Sequence, residues 1–201
     1  MSETELRVLI QDVLRIRAAM DLAVANPDPV VRSRQLAALV RSGNGFARLS
    51  AIQKLEGGGA PETNVLFGLL SDRSLLGWHP DMIGALVRKH AADVRFAGFL
   101  AEETAYWSRS CRIFKPGWWN TVPDPDAEGA RNHYTRAYAL LEAIRDLNLS
   151  EAAPAVRDFA AVWSKCPPLE KHEKTNQITE VLKSLRANRI SSPSASGSPD
   201  R

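Results

Sequence analysis

RLSAIQKLEGGGAPETNVLFGLLSD, residues 48–72, reads as two helices on either side of a glycine break. Arg48, Ala51, Ile52 and Leu55 recur at helical spacing and share one face of the first helix. Gly57, Gly58 and Gly59 end it, and Pro61 with Glu62 restarts the chain ahead of Val65, Leu66, Leu69 and Leu70. The segment is therefore one antiparallel helix pair, too small to bury its own apolar faces.

The same period extends in both directions, and no alternating strand pattern interrupts it. Leu6, Leu9, Ile10, Val13, Ile16, Met20 and Ala23 follow steps of three and four along one amphipathic helix. It ends at Asn26-Pro27-Asp28-Pro29, where Asp28 suits an N-cap and Pro29 a first helical residue, and Leu36, Leu39 and Val40 stripe the helix that follows. After the loop Gly77 to Asp81, Met82, Ile83, Leu86 and Val87 open another helix, and Phe96, Phe99, Leu100, Thr104 and Trp107 one more. Ala38-Leu39-Val40-Arg41 recurs 47 residues on as Ala85-Leu86-Val87-Arg88, a spacing proper to two-helix repeats. Residues 115–129, rich in proline, glycine and aspartate, read as an irregular connector. Helical stripes resume at Tyr134, Ala137, Tyr138, Leu141 and Ile144, then at Val156, Phe159, Ala160 and Trp163, and finally at Ile178, Val181, Leu182 and Leu185. The tail 191–201, SSPSASGSPDR, has nothing large to bury and is expected to be disordered.

The Arg-x-x-Ala-x-x-x-Leu helix, glycine turn, Pro-Glu start and Leu-Leu-x-Asp end resemble bacterial HEAT-like repeats over residues 28 to about 110. What the resemblance implies is an all-α fold: a short right-handed α-solenoid of HEAT-like helix pairs over 1–114, with the connector 115–129 and helices 130–190 continuing or capping the stack. Such a scaffold implies a non-catalytic adaptor that binds a protein partner through a concave surface. Alternatives within the same resemblance are a nucleic-acid-binding protein, including a DNA-repair type, and a chromophore lyase with a deep pocket near Trp78 or Trp118. The stretch from Asp28 to Asp72 also resembles the carboxyl-terminal helical bundle of acyl-CoA dehydrogenases, but the chain has no room for that family's flavin-binding half.

Composition narrows the classes. With 201 residues and 44% hydrophobic content the chain can bury a core. A net charge of +3, from 26 basic and 23 acidic side chains, is too small for a dedicated nucleic-acid binder, although it says nothing of how charge is distributed. No apolar run approaches the roughly 18 residues a membrane span needs, and MSETELRVLIQD carries acids where a signal peptide carries lysines, so a cytoplasmic location without membrane contact is expected. Cys111 and Cys166 stand far apart without a CxxC, which suggests free thiols and neither a disulfide framework nor a zinc site.

The strongest candidate contact is Tyr106 to Trp119, YWSRSCRIFKPGWW, where Trp107, Trp118 and Trp119 interleave with Arg109, Arg112 and Lys115. Aromatic faces and cations together suit stacked bases and phosphates. Tryptophans beside a Pro-Gly turn more often close the end of a helical stack, so a structural role is favoured. Arg34, Arg41, Arg48 and Arg88 are expected to line the groove, with Arg48 instead bridging to Asp72-like acids between repeats. Gly57-Gly58-Gly59 has the form of an anion nest, yet without GxxxxGK[ST] spacing it reads better as a plain turn. His79, His90, His133 and His172 are too scattered for a metal, Glu102-Glu103 has no partner visible in sequence, and no catalytic motif or cofactor signature is present.

Overall fold

The computed structural model describes residues 2–42, 44–111, 125–166 and 175–191, and among them the chain is helical without a strand. The helices are α1 (Glu3–Ala25), α2 (Pro29–Arg41), α3 (Gly45–Glu56), α4 (Ala60–Leu69), α5 (His79–Arg88), α6 (Arg95–Ser110), α7 (Pro125–Asp146), α8 (Ala153–Trp163) and α9 (Thr175–Ser191). They fall into two compact units, Met1–Ala91 and Ala92–Arg201.

Local chemistry sets the helix boundaries of the first unit. Ser2 and Glu5 form a reciprocal capping box at the start of α1, and the Asp28 carboxylate accepts from the amides of Val30 and Val31 above Pro29. Asn44 caps α3 through the Ala47 amide. Each helix then packs against both the next and the next but one: α1 on α2 and α3, α2 on α3 and α4, α3 on α4 and α5. The core so formed holds Leu36, Val40, Ala51, Ile52, Leu55, Leu66, Leu69 and Leu86, the residues of the apolar stripes.

Ion pairs fasten the next-but-one neighbours. Arg32 of α2 meets Glu62 of α4 at 2.8 Å, Arg41 of α2 meets Asp72 after α4 at 3.1 Å, and Arg88 of α5 takes Glu56 of α3 in a two-pronged contact of 2.7 and 2.8 Å. Arg48 does not bridge to an acid as expected. Its Nε donates to the Val40 carbonyl at 2.9 Å and its guanidinium lies 5.6 Å from the Trp78 ring centroid, because Arg41 already holds Asp72.

The glycine turn is explained by Glu62. Its fully buried side chain accepts from the Gly59 amide at 2.9 Å, so the chain's own carboxylate fills the place an external anion would take. A β-carbon on Gly58 would stand 2.3 Å from Glu62 Cγ, which reserves that position for glycine. Burial pushes the Glu62 carboxyl up, but backbone amides and Arg32 outweigh it and hold the group below its ordinary 4.5. The unfolded chain therefore takes up this proton first as pH falls. Stability from Glu62 is complete above about pH 4.5 and is lost as pH drops through the lowered folded value. Glu62→Gln is expected to flatten the fall of the urea midpoint below pH 4.5, and an unchanged slope would show that the carboxylate contributes nothing there.

In the second unit α6 packs against α7 and α8, while α9 packs against α7 and α8. Phe96, Leu100, Trp107, Leu140, Ile144, Val156 and Phe159 make its core. Trp163 lies edge-on to Trp107 and stacks near Tyr134, whose hydroxyl burial pushes up to about 12. The non-glycine residues His90 and Asn148 adopt positive φ beyond α5 and α7. There the amides of Ala91 and Leu149 reach back to Leu86 and Ile144 and close both helix ends.

Two expectations are corrected here. Cys111 and Cys166 are joined in a disulfide with Cα atoms 5.4 Å apart, where free thiols were expected. Sequence separation concealed the pair, since α6 and α8 pack together and bring their carboxyl ends within reach. The connector expected over 115–129 gives way to helix at Pro125, because a proline has no amide hydrogen to leave unsatisfied in a first turn. Its earlier part and the tail beyond Ser191 lie outside the described residues.

Candidate interaction site

Of the candidate contacts in the aromatic stretch, Trp107 is completely buried in the second unit and so serves packing. Arg109 is exposed on the last turn of α6. Arg112, Lys115, Trp118 and Trp119 lie outside the described residues.

The four arginines of the first unit divide by what already holds them. Arg88 is committed to Glu56, and beside it Lys89 donates to the carbonyls of Glu56 and Gly58, capping the end of α3. The surrounding 890 Å³ cleft, lined by Gln53, Glu56, Gly57, Thr63, Arg88 and Lys89, keeps one net positive charge, but both of its cations are already held by groups of the chain itself. Arg48 is half-buried over Trp78, and a β-carbon on Gly45 would sit 3.6 Å from that indole.

Arg34 and Arg41 differ. Spaced at i and i+7 with Ala37 between them, they share one face of α2. Across from it α4 presents Asn64, Val65, Gly68 and Leu69, and the two helices enclose a cleft of 410 Å³. Gly68 has nothing within 4 Å of where a β-carbon would be, which leaves the α4 wall low and open. Arg41 gives its Nε to Asp72, whose carboxyl is held below the usual range by the Ser74 hydroxyl and by Arg41 itself. Half of the Arg41 side chain remains exposed, at 51%. Arg34 is exposed and pairs with no acid among the described residues. The cleft is consequently apolar along Ala37, Val65 and Leu69, with surplus positive charge at its rim.

One cluster escaped the sequence reading. Glu103 of α6 is fully buried, receives Arg136 Nη1 at 2.6 Å, and accepts from His133 Nδ1 at 3.0 Å, so that nitrogen carries the proton. Arg136 also reaches Glu102 at 2.9 Å and faces the Phe99 ring, while Tyr106 stacks on His133 with centroids 3.6 Å apart. The arrangement orients an imidazole as catalytic sites do, but among the described residues no hydroxyl or thiol is hydrogen-bonded to it. Its evident work is to tie α6 to α7. Among the described residues no group of three or more His, Cys, Asp or Glu side chains is placed to hold a metal, and no helix is long and apolar enough to cross a membrane.

Compared with known protein families, characterised proteins and solved structures, the chain matches none.

Proposed function

We propose that this chain is a non-catalytic helical-repeat adaptor, a short right-handed α-solenoid of HEAT-like pairs, which holds an acidic segment of a protein partner in the α2–α4 cleft. The packing of each helix of the first unit on its next and next-but-one neighbours supports the repeat reading, since stacked hairpins shelter one another in that order. The observation that carries the binding reading is Arg34, an exposed cation that pairs with no acid among the described residues, on the rim of an apolar cleft whose other lining arginine, Arg41, is engaged by Asp72. An extended chain with an acid beside aliphatic residues would satisfy both features, with the charge steering encounter and the apolar floor supplying affinity.

Selection from a random peptide library against the immobilised full chain tests this. Recovered binders are expected to be acidic, and Arg34→Glu to weaken them by about tenfold or more, with Arg109→Glu leaving them unchanged. Binders indifferent to Arg34→Glu would overturn the assignment of the cleft. Tight, steeply salt-dependent binding of random duplex DNA that survives in Arg34→Glu would favour the nucleic-acid reading instead.

A further inference from the structure

The apolar seam of α1 is covered in one half and bare in the other. Leu6, Leu9, Val13, Ile16, Met20 and Ala23 alternate steps of three and four without a break, the spacing of the a and d positions of a two-helix supercoil. Ile16, Met20 and Ala23 are 9%, 7% and 1% exposed, because α2 and α3 pack over them. Leu6, Leu9 and Val13 are 42%, 51% and 42% exposed, with Ile10 beside them at 49%. From residue 2 to residue 15 no side chain is buried. A helix of this length gains most of its stability from packing of its apolar face, yet here that face meets water for almost four turns.

We infer that a second copy of the chain covers this face, through a short parallel pairing of the two α1 helices over Leu6, Leu9 and Val13. Three features select that occupant. A β-branched residue at a (Val13) with leucine at d (Leu9) favours two parallel strands. With Leu6 at a, Asp12 falls at g and Arg17 at e, and in a parallel pair each g residue faces the e residue five places on in the other helix. Two symmetric Asp12–Arg17 contacts would form. Arg17 is exposed and pairs with no acid among the described residues, while Asp12 has only an exposed contact with Arg15 at 3.2 Å. The opposite orientation would bring g against g, and both g residues here, Glu5 and Asp12, are acids. The polar flank also disfavours a lipid surface. The four acids Glu3, Glu5, Asp12 and Asp21 outnumber the three arginines Arg7, Arg15 and Arg17 along α1, where a helix lying on an anionic membrane carries mostly lysine and arginine.

Sedimentation equilibrium of the full chain over a wide concentration range reads the association. A reversible monomer–dimer equilibrium is expected, and Leu9→Glu should weaken it by about a hundredfold or more by placing a charge in the seam. The fold should survive, since Leu9 is not buried, and circular dichroism verifies this. Asp12→Arg and Arg17→Asp should each weaken self-association by about tenfold, and mixing the two variants should restore it as a heterodimer. A wild-type chain that stays monomeric throughout, or one that stays monomeric while floating with phosphatidylserine vesicles, would overturn the inference. So would a dimer that Leu9→Glu leaves intact, or variants that fail to associate when mixed.

Discussion

Reduction of the Cys111–Cys166 bond is expected to destabilise the second unit by about 4 kcal/mol, the chain-entropy value for closing a loop of 55 residues. The bond restrains the unfolded chain far more than the folded one, in which the α6 and α8 ends already lie side by side. The double variant Cys111→Ala, Cys166→Ala should reproduce the loss without reductant. Trp107 and Trp163 are buried beside the bridge and edge-on to each other, so their fluorescence follows this unit as urea is raised. Equal midpoints with and without reductant would show that the bridge does not restrain the chain. Titration of two reactive thiols in the denatured, unreduced protein would show that it does not form. Disulfides persist mainly in oxidising surroundings, so a Cys111–Cys166 bond runs against the cytoplasmic expectation.

Loss of the Arg136 guanidinium should cost about 3 kcal/mol or more, because it strands a buried carboxylate. Glu103 has no exposure to water, and with Arg136→Met only the His133 Nδ1–H donor of this cluster would still reach it. The double variant Arg136→Met, Glu103→Gln should be markedly less destabilised than the sum of the two single variants, since the stranded charge is removed with its partner. Arg41→Met provides the contrast: its pair with Asp72 is half in solvent, and its loss should cost less than about 1 kcal/mol. Urea unfolding of the wild-type chain and the four variants checks this, and similar losses for Arg136→Met and Arg41→Met would contradict the assignment of a buried ion pair.

The elements that the sequence made legible are those whose signal is local. Asp28 and Pro29 start α2 by hydrogen bonds within three residues, and the stripe Ala51, Ile52, Leu55 is buried because helical periodicity alone decides which face turns inward. What was not legible depends on pairs distant in sequence. Glu103 met Arg136 across 33 residues and Cys111 met Cys166 across 55. A trace of the first was present: Glu103 falls on the stripe Phe96, Phe99, Leu100, Trp107, and an acid on an apolar face implies a buried partner. Thr104, assigned to that stripe instead, stands at its border. For the candidate site, the arginines could be found by composition, but which were already spent could not. Arg48 and Arg88 look no different from Arg34 until the Val40 carbonyl and Glu56 are seen against them.

The binding reading is tested most directly by amide chemical shifts of the ¹⁵N-labelled chain titrated with an acidic peptide recovered by selection. Shifts confined to α2 and α4, at Arg34, Arg41, Asn64, Val65 and Gly68, are the predicted result. Saturable binding that instead moves the amides around Tyr106, His133 and Arg136, and leaves the cleft unchanged, would contradict it.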